Sequence, residues 1–141
     1  MVPPVVVDDA VAYLKEDPIK VITISRESHA VLDGFRARLA PFCEGKLIMV
    51  FSNPMLLEFE NPKATKGMAV DYMCDHFNIP VKNSVAAGDE ENDITMIKAA
   101  GVGVAMKNAT EKVRAIADYV TQNDNDHDGI KEIIDKFILN D

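Results

Sequence analysis

Apolar and polar positions follow two different rhythms along the chain. Ile19-Lys20-Val21-Ile22-Thr23-Ile24 is β-branched and alternating, which predicts a strand. Behind it Val31, Leu32, Phe35 and Leu39 recur at helical spacing, with Ser25 or Ser28 available as a cap and Pro41 expected to help end the helix. Lys46 to Phe51 and Met55 to Phe59 predict a pair of strands joined through the turn composition Ser52-Asn53-Pro54. Val5-Val6-Val7 is a candidate for one more strand. Asn61-Pro62-Lys63 is the expected boundary, because Pro62 breaks regular structure and the rhythm changes after it.

From Lys66 onward, helix and strand patterns alternate. Met68, Ala69, Tyr72, Met73 and Phe77 share one helical face, with Asp71 and Asp75 on the other. Residues 84–87 form a short apolar run, and a helix begins at about Asp93. Val102 to Met106 predict another strand, and Thr110 can cap a helix carrying Val113, Ile116 and Ala117. Tyr119-Val120 is a last short strand, followed by Ile130, Ile133, Ile134, Phe137 and Ile138, an amphipathic helical stripe. Repeated βα units imply an α/β fold, a parallel sheet with helices on its faces.

The chemistry gathers behind the 84–87 run, in Gly88-Asp89-Glu90-Glu91-Asn92-Asp93. Gly88 permits a sharp turn, and the carboxyl ends of parallel strands are where open α/β sheets place ligands. Asp89 and Asp93 would supply hard oxygen ligands for a Mg²⁺ ion that keeps several waters. Alternatively, Glu90, Glu91 and Asp93 would simply favour the positive end of a helix dipole.

Composition narrows the partners. A length of 141 residues accommodates one ordinary domain or two small halves, and 48% hydrophobic residues give it a core. A formal net charge of -8, with no clustered Lys/Arg face, argues against nucleic acid. Cys43 and Cys74 are too few for a disulfide framework and read as buried free thiols in a reducing cytoplasm. No basic leader opens the sequence and no apolar run reaches membrane-spanning length, so a cytoplasmic protein with no membrane partner is expected.

Three segments together resemble the haloacid dehalogenase (HAD) superfamily of phosphatases, in its Cof-like branch. They are Thr65-Lys66-Gly67; Gly88 to Ile97; and Ala100 to Ala109, followed by Ala117 to Thr121 and Asp128-Gly129. The resemblance implies a partial HAD-like, Rossmann-like three-layer core over residues 62–141. The strand, helix and hairpin before it resemble the end of the family's α/β cap domain, here 1–61. By the same resemblance Asp89 and Asp93 are Mg²⁺ residues, Asn92 and Lys66 hold the substrate phosphate, and Lys66 is the catalytic lysine. The implied substrates are small phosphorylated metabolites such as sugar phosphates. Phosphoryl transfer suits such a set, because positioned cations and dipoles carry most of it.

One departure matters. The family's nucleophile is an aspartate in an Asp-x-Asp motif after the first core strand. Val5-Val6-Val7-Asp8-Asp9-Ala10 is the only candidate, and it has alanine at the second acid. Its distance from Lys66 is also too short for the missing core strands plus a cap. The expectation is therefore the carboxyl-terminal portion of such a phosphatase, inactive as this chain alone. In the family the nucleophile strand lies beside the strand that ends in the acidic motif. Without it, strand 84–87 becomes an exposed edge through which copies of the chain would associate.

Other readings compete. A non-catalytic module that holds phosphate and metal would use the same residues. A phosphoacceptor receiver domain accounts for Asp8-Asp9, but Val50-Phe51-Ser52 lacks its third-strand acid. Asp124 to Gly129, with Asp135, approaches a calcium-loop pattern. Against it, Lys131 stands where that pattern has an apolar residue, and strand rather than helix precedes the loop. A turn in which Asp126 or Asp128 caps the last helix is the expected form. His29, His76 and His127 show no ligand spacing, and Met68, Met73 and Met96 read as core.

Overall fold

In the computed structural model, which describes residues 3–139, the strands divide between two three-stranded sheets. Met1, Val2, Asn140 and Asp141, at the outer ends of the two expected segments, lie outside the described residues.

The first sheet is antiparallel. Strands β1 (Val21–Ile24), β2 (Ile48–Asn53) and β3 (Leu56–Glu60) take the order β1-β3-β2. Met49 and Phe51 of β2 and Leu57 and Phe59 of β3 alternate toward one face, where they pack on Leu32 and Phe35 of helix α2 (His29–Cys43). Glu58 and Glu60, on alternate positions of β3, are both buried and share the ammonium of Lys20, at 2.5 and 2.8 Å.

Local expectations here need correction. Val5-Val6-Val7 forms no strand. No neighbour among the described residues offers it a ladder, and Val6 is 92% exposed. Asp9 instead caps the short helix α1 (Ala10–Tyr13), accepting from the Ala12 N–H at 3.0 Å. Pro41 lies inside α2 rather than ending it. The last turn still closes through Glu44 N–H to Ala40 C=O at 3.0 Å, so the one lost bond is tolerated.

The second sheet is parallel, with β4 (Val85–Gly88), β5 (Val102–Ala105) and β6 (Tyr119–Val120) in that spatial order. Side chains alternate between its faces. Val85, Ala87 and Val104 pack with Met106 and Ile133 under helix α6 (Gly129–Phe137). Ala105 and Val120 face Ile94 and Ile97 of helix α4 (Ile94–Ala99) and Val113 of helix α5 (Glu111–Arg114). Helix, sheet and helix make three layers. Helix α3 (Lys66–Phe77) lies against α4 at the β4 side.

Among the described residues β4 pairs on one edge only, and no strand beyond it covers α3. Met68 and Met73 are therefore half exposed rather than core, beside exposed Tyr72 and Phe77. Asp128 occupies the N-cap position of α6 in the left-handed region but makes no capping bond with its side chain. Glu132 of α6 instead gathers the Gln122 and Asn123 N–H groups and the Tyr119 hydroxyl. The loop before α6 is tied to that helix through Glu132, which makes an Asp cap unnecessary. Cys43 and Cys74 are buried free thiols.

Candidate functional site

The acidic segment turns at the carboxyl end of β4, and Gly88 makes the turn possible. A Cβ on Gly88 would lie 2.3 Å from Cβ of Asp93 and 2.6 Å from its Oδ2. Only glycine lets the 3₁₀ turn Glu91–Asp93 fold back so closely over the strand. Asp93, 5% exposed, then accepts through Oδ2 from the N–H groups of Asp89, at 2.9 Å, and Glu90, at 3.2 Å. Glu90 and Asp93 close a reciprocal capping box.

Lys66 opens α3, capped by Thr65, whose hydroxyl accepts from the Met68 N–H at 3.3 Å. Gly67 sets its position. A Cβ there would meet the Thr95 carbonyl oxygen at 2.6 Å, and the Gly67 N–H donates to Thr95 Oγ1 at 3.1 Å. This close approach of α3 to α4 brings the Lys66 ammonium onto Asp93 Oδ1. The ion pair spans 27 positions of sequence. Lys66 remains 43% exposed, and its ammonium has three donors, so it can serve a second anion as well.

Asp89 hangs beside this pair. Its Oδ2 accepts from Asn108 Nδ2 at 2.8 Å, and its carbonyl from the Thr110 N–H at 3.0 Å. Oδ1 has no hydrogen-bond partner among the described residues. Asn92 is half-buried on the 3₁₀ turn, and its side chain makes no hydrogen bond among the described residues. Thus Lys66 and Asp93 touch, Asp89 joins them through its N–H, and Asn92 is adjacent in sequence without bonding to them.

Two further residues belong to the site and escaped reading from the sequence. Asn108 holds Asp89 while its Oδ1 accepts from the Asn125 N–H at 3.1 Å, tying the acidic loop to the turn before α6. Its signal was its position just past the adjacent parallel strand, where loops converge. Glu91 faces away from Asp89 and receives Arg36 and the Phe51 N–H. Glu90 sits where its charge is resisted. Burial, then the charges of Asp89, Asp93 and Glu91, push its carboxyl above the ordinary glutamate value, against a weaker opposing effect of His29.

Among the described residues no group of three or more His, Cys, Asp or Glu side chains could enclose a metal. The donors present fit a hard, hydrated cation instead. Asp89 offers Oδ1, while Asp93 has Oδ2 filled and one acceptor position left on Oδ1, an arrangement that suits Mg²⁺ completed by waters.

Comparison with known proteins gives the family. A haloacid dehalogenase-like hydrolase family model matches residues 4–134. Phosphatase YwpJ of Bacillus subtilis is 42% identical over 81 residues, covering 57% of this chain and 28% of that protein. A phosphoglycolate phosphatase of Methanobrevibacter smithii is 37% identical over 92 residues, covering 65% of this chain and 39% of that protein. A solved haloacid dehalogenase-like hydrolase from B. subtilis superposes with a TM-score of 0.80 at 29% identity, over 94% of this chain and 46% of that one. The chain spans less than half the length of each of these relatives. The receiver-domain reading is set aside by these matches. With Lys66, Gly88 to Ile97 and Ala100 to Ala109 assembled around β4 and β5, the chain belongs to the haloacid dehalogenase-like hydrolases.

Proposed function

We propose that residues 1–141 carry the metal- and phosphate-binding half of a Cof-like, Mg²⁺-dependent phosphatase for small phosphorylated metabolites such as sugar phosphates. The observation that carries this reading is the Lys66–Asp93 pair at the carboxyl end of a parallel strand, beside Asp89 with an unengaged oxygen. Lys66 and the Asn92 amide would hold phosphoryl oxygens, and Asp89 Oδ1 would face the metal with Asp93 behind it. A bound Mg²⁺ supplies positive charge against the phosphoryl oxygens. Asp93, held by two backbone N–H groups, keeps Lys66 oriented without having to move. The phosphoglycolate phosphatase relative supports a small monoester as substrate class. Two buried free thiols are in keeping with a reducing cytoplasm, and no described helix is long and apolar enough to cross a membrane.

Turnover needs a nucleophile, and Asp8 and Asp9 do not offer one. Asp8 is exposed beside an unpaired segment, and Asp9 is spent on capping α1. These residues alone would bind phosphate without hydrolysing it. Titration calorimetry with inorganic phosphate and Mg²⁺, beside an aryl phosphate hydrolysis assay, tests both parts. Expected are Mg²⁺-dependent phosphate binding, weakened about tenfold or more in Asp89→Asn, and no turnover. Absence of any Mg²⁺ or phosphate binding would overturn the site. Turnover abolished by Asp89→Ala would overturn the inactivity.

A further inference from the structure

Among the described residues the two sheets meet without a shared apolar core. Each of the three hydrophobic clusters stays with its own sheet and helices. Near the acidic turn, the space between the sheets is a cavity of about 360 Å³ lined in part by His29, Phe51, Glu90, Glu91 and Thr110. A junction that no hydrophobic cluster of the described residues spans leaves relative motion of the two bodies as the default.

One carboxylate bridges it. Glu91 Oε2 accepts from the N–H of Phe51 at 3.0 Å, on the outer strand of the antiparallel sheet. Arg36 Nη1, on α2, lies 3.0 and 3.2 Å from the two Glu91 oxygens, and its guanidinium carbon is 5.4 Å from the centroid of the Phe51 ring. Lys112 of α5 approaches Oε1 at 3.6 Å. Glu91 is 17% exposed and Arg36 31%, so the pair is shielded well beyond an ordinary surface ion pair. Glu91 is also two residues from both Asp89 and Asp93. Its backbone is part of the turn that sets their positions.

We propose that Glu91 is a positioning residue, a latch that fixes the antiparallel sheet to the metal loop so that the two move as one body. Charge-assisted hydrogen bonds are the strong ones, and here three converge on one side chain while no apolar cluster crosses the junction. The latch is independent of what the loop binds. Its consequence for Mg²⁺ rests on the function proposed above.

Backbone hydrogen exchange on the free protein tests the latch itself. Glu91→Ala should speed exchange of the Phe51 amide at least tenfold, and Arg36→Met several-fold, while amides of α3 keep their rates. Arg36→Met retains the Phe51 acceptor, so it serves as the readable variant should Glu91→Ala fold poorly. Wild-type protection of Phe51 and of residues 89–93 in Arg36→Met would overturn the proposal, as would uniform acceleration across the chain. Mg²⁺ affinity of Arg36→Met then separates positioning from charge. Removing a cation near Asp89 should tighten binding if only charge acts; the latch predicts weakening of several-fold. Tighter binding overturns positioning. If the wild-type protein binds no Mg²⁺, the proposed function falls, and the exchange data alone decide the latch.

Discussion

Glu90 is held in a reciprocal capping box among three other acids, so its protonation is linked to folding. Its folded-state carboxyl binds a proton more tightly than the ordinary glutamate value of 4.5. Between that value and the raised one, the folded state carries more protons than the unfolded. Stability therefore falls as pH rises through this window, and the penalty is fully present above it. Glu90→Gln keeps an acceptor for the box and removes the charge. It should stabilise the protein by about 0.5 kcal/mol at neutral pH, a small figure because the side chain is only partly buried. The gain should vanish below pH 4.5, which denaturant midpoints at pH 7 and pH 4 would show. Gly88 was legible as a turn residue, but its reason was not. What demands glycine is the return of Asp93 onto the strand, a contact five residues away that depends on the tightness of a 3₁₀ turn. Asn108 was illegible as a partner of Asp89, because only the neighbouring register of β4 and β5 brings positions 89 and 108 together.

The elements themselves followed from pattern wherever both periodicity and a partner were present. α3, the β2–β3 hairpin, β5 and the start of α6 lie close to their expected places, whereas Val5-Val6-Val7 had a strand's composition and no neighbour to pair with. Within the antiparallel sheet, Lys20 does work that alternation alone does not suggest. Its ammonium is raised above its ordinary range by hydrogen bonds to Glu58 and Glu60. Burial pushes the Glu58 carboxyl up, but the hydrogen bond and charge of Lys20 are among the effects that outweigh burial and hold it below the ordinary value of 4.5. That contribution is present above the unfolded value and lost as pH falls through the folded one. Lys20→Met leaves two buried carboxylates without their cation. We expect a loss of about 1–2 kcal/mol at pH 7, reduced from the buried-pair range because Lys20 is itself 38% exposed. The difference from wild type should shrink below pH 4.5, measured by chemical denaturation.

For the molecule as a whole, the open face beside β4 is the feature to test. Met68, Tyr72, Met73, Phe77 and Ile79 are 46–67% exposed, and Met73, Phe77 and Ile79 line a groove that runs along Ser84 and Val85. Taking roughly 100 Å² from each, half of a large side chain's area, this face offers about 500 Å². A standard interface uses about 800 Å² per partner, and pairing of the β4 edges would supply much of the rest. We predict that a second copy covers this face through an isologous contact, with a dimer mass by light scattering and slow exchange at Val85 and Ala87. A monomer with fast-exchanging amides there would exclude it, and a monomer that dimerises only with a further chain segment would name a different occupant. By itself the sequence determined the α/β class, the family, and the four residues Lys66, Asp89, Asn92 and Asp93 as candidates, because motif order and hydrophobic period are properties of the chain. Only the tertiary structure decided that Asp93 is spent on the loop and on Lys66, that Asp89 keeps the unengaged oxygen, and that Glu91 turns away to hold the other sheet. Four acids in six positions are alike in composition. What each of them bonds to depends on the donors that distant segments bring to it, and those are set by packing.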